Sequence, residues 1–457
     1  MVRSHRFVPF LLLASTLTAQ TPPNIIHILA DDIAWDDVGC FGATDIATPA
    51  IDDLARRGMR LTSFYAPHST CTPTRAAILT GGYAQRVSLP QVLFPNSAVG
   101  LADAEVTIAE LLRDRGYATA LIGKWHLGHH PEFLPTRHGF DLFLGIPYPN
   151  DHVPERLDKD GKPRGFPPMP LLRGEQVIEQ PAQMATLPDR FTEAAVEFIG
   201  ANKDRPFYLH FANIETHTPW LTSRPHHGKS RAGVYGDAVQ CLDWSVGKIV
   251  QALADAGLTE RTLIVFQSDN GPLVHEYPEL ERIYGHAAAV DTTRPHALRE
   301  GKYQSRYEGG CRVTGIATWP GTIAPGSHSD ALLAGFDWYH TFAAVGGATI
   351  PAEPPRDGRS LLPLLRGEVD PAPRDHLVFW EGWRAVAVRA GDWKLVAPRQ
   401  AGGAFELYDL RTDPGERQSV ANEHADIVVR LRELLSGATA LGDGNPGPAA
   451  RTAGKKI

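Results

Sequence analysis

The stretch "NIIHILADD", Asn24 to Asp32, is an apolar run closed by two acids. A half-buried strand alternates apolar and polar residues, whereas a strand covered on both faces reads as an unbroken apolar run. The stretch is therefore predicted to be a buried strand with Asp31 and Asp32 at its carboxyl end. The same form recurs in "YATALIGK", "PFYLHFAN" and "TLIVFQSDN". Between these runs the spacing becomes helical. "TPAIDDLARRG" has Thr48 as N-cap and Gly58 as stop, and "VTIAELLRDRG" and "PDRFTEAAVEFIGAN" follow. A longer helix is predicted from about Ala232 to Ala256, with Tyr235, Ala238, Leu242, Val246, Ile249 and Leu253 on one face. Such strands alternating with helices predict an α/β fold, a mostly parallel sheet sandwiched by helices. Ligands of these sheets bind outside the carboxyl ends of the strands. Asp31, Asp32, Lys124, His126, Asp269 and Asn270 all fall at or just past predicted strand ends.

The pattern changes after about Pro351. "HLVFW", "RAVAVR", "DWKLVA" and "FELYDL" are short strands, Gly391-Asp392 suits a hairpin turn, and "EHADIVVRLRELL" is an amphipathic helix. This predicts a main domain over 20–350 and a C-terminal subdomain over 351–441, a small antiparallel sheet with one helix. The Gly-, Pro- and Ala-rich segment 442–457 is expected to be a disordered tail. At the other end, Arg3 and Arg6 precede a short apolar run and small residues up to Ala19. Residues 1–19 read as a signal peptide, which points to a periplasmic or secreted protein. No later run is long and apolar enough to span a bilayer.

Composition narrows the function classes. The 457 residues carry a formal charge of -7 and no Lys/Arg run, so a nucleic-acid partner is not expected. The four cysteines, Cys40, Cys71, Cys241 and Cys311, match neither a zinc motif nor a dense disulfide framework.

Asp31, Asp32, Asp269 and Asn270 offer hard oxygen ligands, which suit Ca²⁺ or Mg²⁺ rather than zinc. An isolated pair of aspartates is more often a solvated loop, but "SDN" at a second strand end moves the reading toward a metal. Cys71, in "STCTPTRAAILTGGY", lies near the start of a short helix, whose free amides favour negative charge. Arg75 follows one turn on, "GKWHLG" adds Lys124 and His126, "ETHTPW" adds His217, and "LREGKYQSRYEGG" adds Lys302. Singly, each is a solvated or core side chain. Together they describe an anionic substrate, a divalent metal, several cations and a nucleophile, which is what sulfuryl or phosphoryl transfer requires.

"CTPTR" and "GYATALIGKWHLG" resemble the two signature motifs of the type I sulfatases, arylsulfatase A-like members of the alkaline phosphatase superfamily. "NIIHILADD" and "IVFQSDNG" resemble the family's metal strands, and "GDWKLV…ELYDLRTDP" its C-terminal part, so the likeness covers nearly all of the chain after residue 19. The resemblance implies that a formylglycine-generating enzyme reads Cys71, Pro73 and Arg75 in the unfolded chain and oxidises Cys71 to formylglycine. The hydrated aldehyde then attacks sulfur. By the same resemblance Asp31, Asp32, Asp269 and Asn270, with an oxygen of residue 71, hold Ca²⁺. Arg75 and Lys124 stabilise the diol and the sulfate charge, His126 takes the proton at release, and Asp269 serves as base. His217 and Lys302 bind sulfate and help the leaving oxygen depart. Pro149 stands where arylsulfatase A-like members often have a serine that contacts sulfate, so either Asn150 substitutes for it or the contact is absent. The substrate implied is a carbohydrate or aryl sulfate ester. A phosphonate or phosphate ester hydrolase on the same fold is the alternative, and a non-catalytic binder of sulfated glycans a third. Loops around His152 to Pro170, Trp220 to Arg231 and His286 to Arg299 are the candidates for shaping specificity.

Overall fold

The computed structural model describes residues 21–158, 160–369, 374–443 and 450–451; the expected signal segment lies outside them. Ten strands form one sheet in the order Ser327–Ser329, Met59–Leu61, Gly315–Thr318, Thr262–Ser268, Asn24–Ala30, Phe207–Ala212, Ala118–Lys124, Leu142–Ile146, Leu171–Arg173 and Gln176–Glu179. From Thr262–Ser268 through Leu142–Ile146 the strands run parallel, and Gly315–Thr318 and Leu171–Arg173 flank them antiparallel.

The unbroken apolar runs have the physical origin expected of them. Successive strand residues point to opposite faces, and here both faces are covered. Ile25 packs with Leu121, Tyr208, Leu263 and Val265 on one side, where Phe342 of the helix Asp337–Gly346 also lies. Ile26 and Ile28 pack with Ile122, Phe211, Ile264 and Phe266 on the other, beneath the helices Pro49–Arg57, Leu187–Ala201 and Gly233–Asp255.

Helix Pro49–Arg57 starts after Thr48 and stops at Gly58, as expected, but for other reasons. The Thr48 hydroxyl accepts the Gly39 N–H at 2.8 Å rather than capping its own helix. Gly58 has φ -135° and needs no left-handed turn. It is small because a Cβ there would lie 2.2 Å from the Ala317 carbonyl oxygen.

The C-terminal strands Leu377–Glu381, Arg384–Ala390, Trp393–Val396 and Glu406–Asp409 form an antiparallel meander, with Gly391 at φ 59° in the expected turn. The helix Ala425–Asp443 packs on it. This layer is tied to the rest by a buried ion cluster. Lys394 Nζ is 2.9 Å from Glu308 Oε1 and 3.0 Å from Glu416 Oε1, and Tyr65 donates to Glu308 at 2.6 Å. Of the tail expected from residue 442, residues 442–443 end the last helix and Ala450–Arg451 pair with Val99–Gly100; the others lie outside the described residues. None of the four cysteines is in a disulfide. No helix among the described residues is long and apolar enough to cross a membrane.

Candidate active site

Two neighbouring strands deliver the acids. Parallel register pairs Ala30 with Ser268, so the next residues, Asp31 and Asp32 on one strand and Asp269 and Asn270 on the other, emerge side by side. The Asp269 N–H donates to the Ala30 carbonyl at 2.9 Å, extending the ladder to the site's edge. Asp32 has φ 64°, a left-handed conformation that costs a non-glycine residue of order 1 kcal/mol and is held by its surroundings. Asn270 Nδ2 donates to Asp32 Oδ1 at 2.7 Å. Lys124 ends a strand two places away, and its Nζ lies 2.5 Å from Asp31 Oδ2. Gly123 precedes it at φ 114°, where a Cβ would sit 1.9 Å from the Ala212 carbonyl oxygen.

Cys71 is the first residue of a ten-residue helix, Cys71–Thr80, buried along its whole length. Its Sγ lies 3.6 Å from Asp31 Oδ1. One turn on, Arg75 faces the acids. Its Nε donates to Asp269 Oδ2 at 2.9 Å, Nη2 to Asp31 Oδ2 at 3.2 Å and Nη1 to the Lys124 carbonyl at 2.7 Å. Lys302 closes the other side, with Nζ 2.6 Å from Asp32 Oδ2 and 3.0 Å from His217 Nε2.

Hydrogen bonds fix the histidine tautomers. A carbonyl oxygen only accepts, so a ring nitrogen bonded to one carries the proton. His126 Nε2 lies 2.9 Å from the Leu93 carbonyl, which leaves Nδ1 a bare lone pair; Nδ1 has no partner among the described residues. His217 Nδ1 lies 2.7 Å from the Thr218 carbonyl, so Nε2 accepts from Lys302. Burial favours the neutral rings. It holds His126 well below the usual histidine value, with Lys124 and His152 adding to it, and takes His217 down to about 3, with Lys302 and Lys124 adding to it.

The acids diverge. Burial opposes ionisation of Asp31, but Lys124, His217, Arg75 and Lys302 outweigh it and hold its carboxyl well below the usual range. Burial pushes Asp32 up to about 7, with Asp31 and Asp269 reinforcing it against Lys302. Burial and Asp31 also raise Asp269. The Cys71 thiol is raised by burial despite Lys124 and Lys302. A thiol so placed is a poor nucleophile at neutral pH, because the reactive form is the thiolate.

The residues fit a hard divalent cation. Ligand atoms of Asp31, Asp32, Cys71 and His217 lie within 4.8 Å of one another. Asn270 Oδ1 is buried with no partner among the described residues and is available as a neutral oxygen ligand. Carboxylates and an amide oxygen are the donor set of Ca²⁺ or Mg²⁺.

Every residue singled out from sequence lies in this region, but two do work that the sequence did not suggest. Both amide hydrogens of Asn150 are committed, to the carbonyls of His217 at 3.2 Å and Pro219 at 3.1 Å. Asn150 therefore holds the His217 loop in place and has no N–H left to replace the missing serine on a substrate. Arg75, with hydrogen bonds to two acids and a carbonyl, also orients the acids. Sequence reasoning missed Thr72, whose hydroxyl donates to the His126 carbonyl at 3.0 Å and accepts the Leu93 N–H at 3.2 Å. It also missed Asp151. Thr72 lies inside the "CTPTR" motif and Asp151 follows Asn150 directly, so adjacency was the available signal.

Comparison with known proteins identifies the family. The family profile described as Sulfatase matches residues 23–348, and one described as N-sulphoglucosamine sulphohydrolase, C-terminal, matches residues 301–440. Human arylsulfatase A is 38% identical over an alignment covering 93% of this chain and 89% of that protein. The N-acetylgalactosamine-6-O-sulfatase of Bacteroides thetaiotaomicron is 32% identical, over 90% of this chain and 92% of that protein. Among solved structures, a sulfatase from Pseudoalteromonas sp. superposes with a TM-score of 0.79 at 28% identity, covering 93% of this chain and 92% of that one.

Proposed function

The chain belongs to the sulfatase family and is a sulfuric ester hydrolase; from that premise we propose that it is an exported enzyme that hydrolyses sulfate monoesters, with residue 71 acting as formylglycine beside a bound Ca²⁺. The observation that carries this reading is the position of Cys71, its sulfur 3.6 Å from Asp31 among Lys124, Arg75, Lys302 and His217. Maturation before folding follows from burial. Cys71 and Arg75 are each 2% exposed and Pro73 is buried between them, so a converting enzyme meets the motif only in the unfolded chain.

The hydrated aldehyde at position 71 supplies the attacking oxygen and a second hydroxyl that lets sulfate leave. The cation, held by Asp31, Asp32, Asp269 and Asn270, supplies positive charge for the sulfuryl oxygens. The rest is the work of this chain's side chains. Arg75 fixes Asp31 and Asp269, and Lys124 fixes Asp31. Asp269 Oδ1 carries only a long 3.4 Å contact from the Asp32 N–H, so it retains a lone pair to take the attacking hydroxyl's proton. Lys302 has three N–H donors and spends two, on Asp32 and His217; the third is left for a substrate oxygen. Lys302 is the proton donor to the leaving oxygen, and His217 Nε2, which accepts from it, holds the ammonium in place. His126, neutral with a free Nδ1, takes the proton when sulfate is released.

The test is a mass spectrum of the tryptic peptide Leu61 to Arg75 from protein made in its own host. An aldehyde mass at position 71 is expected; an intact thiol removes the nucleophile and the mechanism with it. The substrate class proposed is a carbohydrate or aryl sulfate, in keeping with the names of the relatives.

A further inference from the structure

Beside the leaving-group side of the site stands a buried acid that the chemistry above does not use. Asp151 is 8% exposed, and its Oδ1 has no hydrogen-bond partner among the described residues. Its nearest basic groups are too distant for hydrogen bonds, the His152 ring, which burial keeps neutral, with Nε2 at 3.8 Å and Arg156 Nη2 at 3.7 Å. Arg156 is drawn elsewhere, with Nη1 3.2 Å from Glu279 and the guanidinium 4.6 Å above the Tyr277 ring. A buried carboxylate oxygen without a donor is costly. Next to an anion-binding site it also repels the substrate's sulfate.

Its position suggests what repays these costs. Asp151 follows Asn150, whose amide grips the carbonyls of His217 and Pro219, so the two loops share one wall. Its charge acts on His217, and Lys302 acts on it in turn. These are the two side chains assigned to the leaving oxygen. The residue after Lys302, Tyr303, is 43% exposed and held at φ 73°, a left-handed conformation unusual for an aromatic residue. A buried acceptor near an exposed aromatic face is how a sugar is held, by a hydroxyl on the carboxylate and a C–H face on the ring. An aryl group has no such hydroxyl to give.

The geometry points to Asp151 as a specificity-determining residue that accepts a hydrogen bond from a hydroxyl of the leaving group, with Tyr303 as its stacking face, so that the preferred substrate is a sulfated sugar rather than an aryl sulfate. This rests on the sulfatase mechanism proposed above. Wild type, Asp151→Asn and Asp151→Ala, matured with a converting enzyme, are compared on 4-nitrophenyl sulfate and on the monosulfates of galactose and N-acetylgalactosamine. Wild type is expected to show higher kcat/KM on at least one sugar sulfate than on the aryl ester. Asp151→Ala is expected to lower that value by about 100-fold, the scale of a lost hydrogen bond to a charged group, and Asp151→Asn, which keeps a neutral acceptor oxygen, by less. For Asp151→Ala the loss on the sugar should exceed the loss on the aryl ester by at least about 30-fold. Asp151→Asn keeps the side chain's volume, and aryl sulfate turnover reports folding in the same samples. Equal losses on both substrates mean that Asp151 only supports the His217 loop, and the proposal falls. Wild type that prefers the aryl ester to every sugar sulfate overturns it as well, while leaving the sulfatase mechanism standing. Wild type that releases no sulfate from any ester removes both.

Discussion

Cys71 contributes little to the fold through its sulfur, because 3.6 Å to a carboxylate oxygen is a weak contact. Cys71→Ala is therefore expected to abolish sulfate release while shifting the melting temperature by less than about 3 °C, equivalent to ~1 kcal/mol or less. Turnover near the wild-type rate by this variant would end the proposed mechanism. Asp269→Ala is expected to be as inactive but less stable. It strips Arg75 of its 2.9 Å acceptor and leaves a buried guanidinium short of charge, a loss of about 3 kcal/mol. The folded protein should survive this, since Asp31 and the Lys124 carbonyl still accept from Arg75. Circular dichroism beside a sulfate-release assay separates the two effects. These residues could be picked out in the sequence because they occur as a set and because "CTPTR" and "IVFQSDNG" resemble the family's motifs; singly each has a bland reading. What each atom does was not legible there. Asn150 and Asp151 are adjacent polar residues of similar size, and only the loop folded against His217 and Pro219 reveals that one is spent on backbone carbonyls and the other is left without a donor.

The central strands were legible because burial on both faces removes alternation, which makes each run conspicuous. The short flanking strands were not. Met59–Leu61, Gly315–Thr318 and Ser327–Ser329 are three or four residues long, and nothing in so short a run says which neighbour it will pair with. The C-terminal meander was readable from its turns, but its anchor was hidden, since Lys394, Glu308 and Glu416 are far apart in the chain and look like surface charges. That anchor has a pH signature. Burial opposes ionisation of Glu308, but Lys394, Arg312 and Arg389 prevail and take its carboxyl to about 2, from 4.5. A depressed folded value means stability fully present above pH 4.5 and lost as pH falls toward 2. Glu416 is raised to about 7 by burial and by Glu308, so it acts in the opposite sense above pH 4.5, and the test belongs below pH 5. In urea titrations at pH 5 and pH 3, wild type is expected to lose of order 2 kcal/mol more than Glu308→Gln. Identical losses in the two proteins would mean that Glu308 does not carry this linkage.

On the scale of the whole molecule, the site exists because register brings two strand ends together and a buried helix, a third strand end and a loop bring Arg75, Lys124 and Lys302 against them. Three acids, Asp31, Asp32 and Asp269, face three cations, Arg75, Lys124 and Lys302, so no carboxylate here is without a positive partner. A divalent ion that enters must compete with lysine ammonium groups for Asp31 and Asp32, and it does so by offering two charges and by taking up the unpartnered Asn270 oxygen. This sets the expected behaviour on chelation. The protein should stay folded, because the lysines still satisfy the acids, but turnover should cease, because the positive charge that the ion offers the sulfuryl oxygens is lost. Calcium should restore activity. Zinc should not, since the ligands assigned to the ion, Asp31, Asp32, Asp269 and Asn270, are all oxygens, which suit a hard cation. Adding the matched aryl phosphate to the same assay tests the charge argument further. A phosphate monoester carries nearly one more negative charge than a sulfate monoester, and the sulfate is expected to turn over faster, in keeping with the family. Full activity after exhaustive chelation would exclude the cation from the mechanism, and faster turnover of the phosphate would reassign the enzyme to phosphate esters.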